Sequence, residues 1–342
     1  MTAFSWPRVL SSLLEGKSLS EEDAAAAMTE IMDGIATPAQ VAGFVVALRA
    51  KGETADEIAG LVRTMRAFST KVDAGDDVLD TCGTGGDRAG TFNVSTAAAI
   101  VCAGAGVKVA KHGNRAASSK AGSADVLEAL GVKIDLPPDG VRNCIEEVGI
   151  GFCFAPVFHP AMRHVGAPRR ELGIATVFNF LGPLTNPAGA RYQALGVSDP
   201  NMLDKMVDTL GRLGSKHVVA FRGDDGLDEL STTGPSRVLE LTDGEVRDYI
   251  FDPASLGFAP ATRADLAGGD ATENAALLRS VLEGEKGPRR DIVVLNAAAG
   301  LVAAGRANDL AEGVDTAASA IDSGNAAGVL DRWAAFSTSA SE

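Results

Sequence analysis

Three clusters of residues carry the chemistry this sequence offers. The first is Asp80-Thr81-Cys82-Gly83-Thr84-Gly85-Gly86-Asp87, with Thr91-Phe92-Asn93-Val94-Ser95-Thr96 close behind. Three glycines in four positions let the backbone turn tightly and approach a ligand closely. The hydroxyls and amide of 91–96 fall where a helix should begin. A glycine loop that feeds a helix N-terminus presents backbone N–H groups and the positive end of the helix dipole, which suits a phosphate. The second cluster is Lys111-His112-Gly113-Asn114-Arg115-Ala116-Ala117-Ser118-Ser119-Lys120-Ala121-Gly122-Ser123. It holds three cations, an amide and three hydroxyls in thirteen residues, donors that phosphate oxygens accept from. Ser123 is placed to cap the helix that follows. The third is Asp224-Asp225-Gly226-Leu227-Asp228-Glu229, four carboxylates in six residues. Adjacent Asp228 and Glu229 suit Mg²⁺, a hard cation that takes a few carboxylates and fills its shell with water and substrate phosphates. Singly, each cluster is an ordinary solvated loop or acidic turn. Together they point to a phosphorylated small molecule that arrives with Mg²⁺.

These loops need elements to aim them. Residues 4–70 read as helices. Ser20-Glu21-Glu22-Asp23 opens an alanine-rich run with a capping-box pattern from Ser20 to Asp23. Thr37-Pro38 opens the next, with proline in the first turn. Thr54-Ala55-Asp56-Glu57 opens a third, with Ile58, Leu61, Val62 and Met65 at helical spacing. The polar stretch 71–77 is a linker, and after it the period changes. Strands are expected at 78–80 and 107–110, each followed by one of the anion loops. Helices follow at 94–104 and 123–130, the second ended by Gly131. Two strand–loop–helix units in succession imply a parallel sheet with right-handed crossovers. Both loops leave its carboxyl edge, where ligands lie in such sheets. Further strands are expected at 151–154, 192–197, 217–222, 237–241 and 247–251, and further helices at 137–148, 200–214, 273–284, 291–304 and 308–322. Residues 155–190, rich in proline, arginine and glycine, form a candidate substrate wall. The fold class is therefore α/β: a small helical domain over 1–72, a crossover around 165–190, and a larger α/β domain over 73–342 with a mostly parallel central sheet.

Composition narrows the function classes. A net charge of −14 argues against nucleic acid or an anionic membrane as the partner. Cys82, Cys102, Cys144 and Cys153 form no C-x-x-C pair and no zinc spacing, as expected of reduced thiols in a cytoplasmic protein. No apolar run reaches membrane-spanning length, and no signal-peptide pattern opens the chain. Neither G-x-x-x-x-G-K-[ST] nor G-x-S-x-G occurs, nor a dinucleotide fingerprint at the first strand. His112 and His159 are possible acid–base groups, whereas His164 and His217 read as structural. Arg169-Arg170 can engage a carboxylate.

The combination GTGGD at 83–87, TFNVST at 91–96, KHGNRAASSKAGSADVLEALG at 111–131, HPAMRHV at 159–165, RRELGIATVFNFLGPLTNP at 169–187 and GLDE at 226–229 resembles the anthranilate phosphoribosyltransferase family, nearly end to end. The resemblance implies the fold shared with pyrimidine-type nucleoside phosphorylases and a homodimer formed through the helical domain. It implies transfer of a phosphoribosyl group from 5-phosphoribosyl-1-diphosphate to anthranilate, in tryptophan biosynthesis, with two Mg²⁺ ions. It would place the diphosphate sugar on Gly83, Gly86, Asp87, Thr91, Asn93, Val94, Ser95 and Thr96, and on Lys111, His112, Gly113, Asn114, Arg115, Ala116, Ala117, Ser118, Ser119 and Ser123. Gly83, Asn114 and Arg169 would engage anthranilate, and Ser95, Asp228 and Glu229 the metal. No general base is assigned; His112 is the nearest candidate. The chain departs from the family pattern at Arg88, where glycine is usual, and at Pro168, where valine is common.

Overall fold

The computed structural model describes residues 4–116 and 120–339. The helical elements are α1 (Trp6–Leu14), α2 (Glu21–Met32), α3 (Pro38–Lys51), α4 (Ala55–Phe68), α5 (Val94–Gly104), α6 (Ser123–Ala129), α7 (Pro138–Val148), α8 (Ala155–Phe158), α9 (Arg163–Leu172), α10 (Phe178–Leu181), α11 (Leu203–Arg212), α12 (Ala271–Leu282), α13 (Pro288–Ala303), α14 (Leu310–Asp322) and α15 (Asn325–Ser339). The strands are β1 (Leu79–Gly83), β2 (Val109–Gly113), β3 (Ile150–Phe154), β4 (Tyr192–Gly196), β5 (His217–Gly223), β6 (Ser236–Thr242) and β7 (Glu245–Phe251).

The first helices begin where their caps put them. Thr37 and Thr54 each close a full capping box, with Gln40 and Glu57. Ser20 accepts from the Asp23 N–H at 3.1 Å, but the box is only half made. The Asp23 carboxylate instead pairs bidentately with Arg8 of α1, at 2.9 and 2.6 Å, because a guanidinium outcompetes a lone amide for it.

The strands lie in the order β3-β2-β1-β4-β5-β6-β7. The first five run parallel, and β6 and β7 return antiparallel. Both faces are covered, and alternation along β5 divides them. Val219 and Phe221 join the core built on α5, α13 and α15. Val218 and Ala220 join a second core that continues through α11 into α1–α4. The helical bundle is thus packed against one face of the sheet. Backbone bonds tie the start of the linker and the residue before it to the 155–190 segment: Thr70 N–H to Phe158 O at 2.9 Å and Val72 N–H to Pro187 O at 3.2 Å. No helix among the described residues is long and apolar enough to cross a membrane.

Three differences from the sequence expectation bear on the site. The strands expected at 78–80 and 107–110 run instead over Leu79–Gly83 and Val109–Gly113. The sheet ladder extends into the glycine loop, because Gly83 pairs with Gly196 and Gly113 with Phe154. Ser123 does not cap α6; Gly122 is the cap residue, and its N–H and that of Ala116 both donate to Asp125. Two of the longer helices were not expected. One is α15, whose Trp333 is 1% exposed in the first core. The other is α9, whose interior Pro168 removes the N–H that would bond the His164 carbonyl.

Candidate active site

Parallel pairing of β1, β2 and β4 with β5 brings the three sequence clusters to one edge of the sheet. The glycine loop leaves β1, the second anion loop leaves β2, and Asp228-Glu229 follow β5. The carboxylate pair sits directly on the glycine loop. The Gly85 N–H donates to Asp228 Oδ2 at 2.7 Å. A Cβ at Gly83 would lie 2.2 Å from that same oxygen, so only glycine permits the approach. Asp225, by contrast, is spent on its own turn, accepting from Ser231 and Leu227 at 2.9 and 3.1 Å.

The electrostatics of the pair are those of a cation site. Burial and the neighbouring Asp87 carboxylate push Asp228 up to about 7. Burial and then Asp228 raise Glu229 well above the usual carboxylate range, against the pull of Lys111. Ser95 donates its backbone N–H to Glu229. Among the described residues no third His, Cys, Asp or Glu completes a protein cage. Two hard oxygen ligands that repel one another, beside an anion loop, fit Mg²⁺ shared with substrate phosphates.

Two cavities open at this edge. One, of about 730 Å³, is walled by the glycine loop, residues 91–96, the loop after β2 and Asp228-Glu229. The N-terminus of α5 faces it, and no side chain caps that helix. Thr96 Oγ1 is buried there without a partner. The other, of about 610 Å³, is walled by Met65 of α4 and by the 155–190 segment, including Pro156, His159, Met162, Val165, Arg169 and Phe178. The cavities meet along Gly83, Thr84, His112, Gly113, Asn114, Arg115 and Asn179.

The expected residues do not all present their side chains. Lys111 is 2% exposed and its ammonium donates to the Thr81 carbonyl at 2.6 Å, beneath the cavity floor. Burial lowers it, and the Asp80 carboxylate pulls the other way. Arg115 is bridged to Asp125 at 2.8 Å and Glu128 at 2.5 Å on α6, a pairing any phosphate must compete with. The Asn93 amide does not cap α5; it turns to Ala121 and Asn274. Ala117, Ser118 and Ser119 lie outside the described residues. Arg88, where the sequence resemblance leads one to expect glycine, takes φ +56 on the rim. Cys82 is held inert: burial and then Asp80 push its thiol well up, and Gln193 donates to its sulfur at 3.1 Å.

In the second cavity the Arg169 guanidinium lies 5.8 Å from the Phe178 ring, and burial lowers it. Pro168 leaves it on the cavity wall. His112 and His159 stand 5.1 Å apart. Burial, then His159, pushes His112 down to about 3, and burial, then Lys71, pushes His159 down to about 4. His112 Nδ1 donates to Gly182 O at 3.1 Å, which leaves Nε2 a bare acceptor without a partner. Sequence reasoning missed Ser198, whose hydroxyl donates to Gly85 O at 2.7 Å, and the wall Ala267–Gly269 with Asn274. Only the glycine pair Gly268-Gly269 hinted at the latter.

The chain matches the glycosyl transferase family helical bundle domain over residues 7–69 and the a/b domain of that family over 75–327. Anthranilate phosphoribosyltransferase of Arthrobacter sp. strain FB24 is 56% identical over 97% of this chain and 96% of its own. The chain belongs to the anthranilate phosphoribosyltransferase family. The enzyme of that name from Moorella thermoacetica is 55% identical over 96% of this chain and 97% of its own. Among solved structures, the family member of Thermus thermophilus superposes with a TM-score of 0.91 at 48% identity, over 96% of this chain and 99% of that one. The Saccharomyces cerevisiae enzyme in complex with PRPP and Mg gives 0.89 at 30% identity, over 98% of both chains. The same yeast enzyme has been solved with 4-fluoroanthranilate.

Proposed function

We propose that this chain transfers the phosphoribosyl group of 5-phosphoribosyl-1-diphosphate to the amine of anthranilate, giving N-(5-phosphoribosyl)anthranilate and pyrophosphate. The observation that carries the reading is the pair of joined cavities. One is lined by anion loops and carboxylates, the other by apolar groups and an arginine without a carboxylate partner among the described residues.

The polar cavity takes the diphosphate sugar through Gly83, Gly86, Asp87 and residues 91–96, with the uncapped N-terminus of α5 facing the phosphates. Lys111 acts from below as a buried positive charge. Asp228, Glu229 and Ser95 would hold Mg²⁺, two ions in all, which supply charge neutralisation for the departing pyrophosphate. In the second cavity Arg169 binds the anthranilate carboxylate and Phe178 backs its guanidinium. Gly83 and Asn114 lie at the junction, where the amine meets the sugar carbon.

The amine nitrogen gives its electron pair to C1 while the C1–O bond breaks, the C1–O bonding pair leaves with pyrophosphate, and the proton then shed by the nitrogen passes to the departing pyrophosphate. Aryl amines are weak nucleophiles, so bond breaking leads, and the fixed dipoles at the α5 terminus favour it. His112 stays neutral and offers Nε2 to an amine N–H, holding the nitrogen toward the junction. Its depressed basicity makes it a poor proton acceptor until the nitrogen carries the new bond.

Exposed Leu14 (80%), Ile35 (63%) and Val46 on the helical bundle support a homodimer through that surface, and sedimentation at twice the chain mass tests it. The division into 1–72 and 73–342 and a cytoplasmic setting belong to the same reading, the latter supported by four buried free thiols. The deciding assay is loss of anthranilate fluorescence on adding protein, the diphosphate sugar and Mg²⁺, with a chelator control. No loss from folded protein would overturn the proposal.

A further inference from the structure

We propose that Asn274 is a positioning residue of the polar cavity: it seats the strap Ala267–Gly269 against the first anion loop and keeps Asn93 from capping α5. The inference rests on the assignment of that cavity to the diphosphate sugar.

Asn274 lies in the first turn of α12 and is 2% exposed. Its Oδ1 accepts from the Gly269 N–H at 2.7 Å, and its Nδ2 donates to Asn93 Oδ1 at 3.0 Å. Asn93 in turn donates to the Ala121 carbonyl at 3.3 Å, so one amide chain runs from the strap through the first anion loop to the second. The strap is sewn to the first loop by backbone as well. Phe92 N–H donates to Leu266 O at 3.1 Å, Gly268 N–H donates to Gly90 O at 2.9 Å, and Thr91 pairs with Ala267. A Cβ at Gly268 would lie 2.6 Å from Asn274 Oδ1 and 2.8 Å from Phe92 Cα, so the fit allows no side chain there.

The consequence is at the α5 N-terminus. Asparagine at an N-cap position ordinarily folds its side-chain oxygen onto the helix's own free N–H groups. Asn93 occupies that position and makes no such bond; its oxygen is turned toward Asn274 and accepts there instead. The helix end that a phosphate would use is left open by a donor on a different helix. The amide does both tasks, with an acceptor toward Gly269 and a donor toward Asn93.

Steady-state kinetics on Asn274→Ala, Asn274→Asp, Asn93→Ala and the Asn93→Ala/Asn274→Ala double variant test this. Asn274→Asp matches the native shape and keeps the acceptor for Gly269 but lacks the donor. Each Asn274 variant should raise the KM for the diphosphate sugar about tenfold. The KM for anthranilate should stay within about twofold, since the hydrogen bonds removed belong to the polar cavity alone. On the Asn93→Ala background the Asn274→Ala change should add only about two- to threefold, because the competing cap is already gone and only the Gly269 bond remains to be lost. An unchanged KM for the sugar, a parallel rise in both KM values, or the same factor with and without Asn93 would overturn the proposal. So would collapse of both Asn274 variants beside a folded Asn93→Ala protein, which would mean a structural role alone. Native protein that fails to turn over the sugar would refute the cavity assignment; native turnover with unaltered variants would refute only Asn274.

Discussion

Asp228 and Glu229 are adjacent carboxylates that the fold has removed from water together, and both are raised by burial and by carboxylate neighbours. A carboxylate raised in the folded state destabilises that state as pH climbs from its unfolded value toward the folded one. Without metal the pair is therefore a liability at neutral pH, relieved by any cation it binds. Asp228→Asn with Glu229→Gln should raise the thermal midpoint in chelator, abolish the further rise on adding Mg²⁺, and remove most of the turnover. A variant that still gains stability from Mg²⁺ would put the metal elsewhere. Arg169 argues the other way: its charge is half-buried with no carboxylate against it among the described residues, and a substrate carboxylate would pair with it. A hydrogen bond to a charged group is worth about 1.5–3 kcal/mol. Arg169→Ala should accordingly raise the anthranilate KM by roughly ten- to a hundredfold, with a much smaller change for the diphosphate sugar. Arg169→Lys should restore little, for lack of a planar fork. Equal effects on both KM values would remove Arg169 from the anthranilate site.

At the scale of elements, the strand-to-loop joints decide how much was legible. Helix α5 runs over Val94–Gly104, the span its apolar pattern and preceding loop indicate, because a buried alanine-rich helix has clear ends. The parallel strands were legible as short apolar runs, buried on both faces. Strand order, and hence which loops share an edge beyond the first two, depends on non-local pairing that no local pattern encodes. The wall Ala267–Asn274 was missed for the same reason, since it acts by pairing with residues about 175 positions earlier in the chain, as the Thr91–Ala267 bridge does. Helix α9 was hidden by Pro168 and a polar sequence, and is held by packing against α3. Arg88 was legible only as a departure, and its backbone makes the departure costly: φ +56 is a left-handed conformation that costs a non-glycine residue about 1–2 kcal/mol. Arg88→Gly should therefore stabilise the chain, by about 1 kcal/mol after glycine's greater unfolded entropy is subtracted. A urea midpoint that stays put or falls would mean that the arginine side chain makes up the difference.

For the molecule as a whole, the seam between helical bundle and sheet sets the response to acid. His112 on β2 and His159 after α8 meet there, facing Lys111, Lys71 and the carbonyls of Gly182 and Thr185. Both are held neutral, with folded values of about 3 and about 4 against 6.5 unfolded. The unfolded chain therefore binds protons that the folded chain refuses, and stability is lost as pH falls below 6.5 toward those folded values. One pH unit is worth about 1.4 kcal/mol per group, so the two histidines together cost on the order of 4 kcal/mol at pH 5 relative to pH 8. Asp228 runs the opposite way, gaining stability over the same descent as its carboxylate takes up a proton near 7. Mg²⁺ bound as proposed would remove that compensation, because the metal would hold the carboxylate deprotonated. The stability difference between pH 8 and pH 5 should therefore be larger with Mg²⁺ than in chelator. His159→Gln should reduce it by about 2 kcal/mol in either condition, whatever its effect on stability at pH 8. Chemical denaturation of both proteins at the two pH values measures this directly. An unaltered difference in the variant would mean that the acid response originates outside the histidine pair.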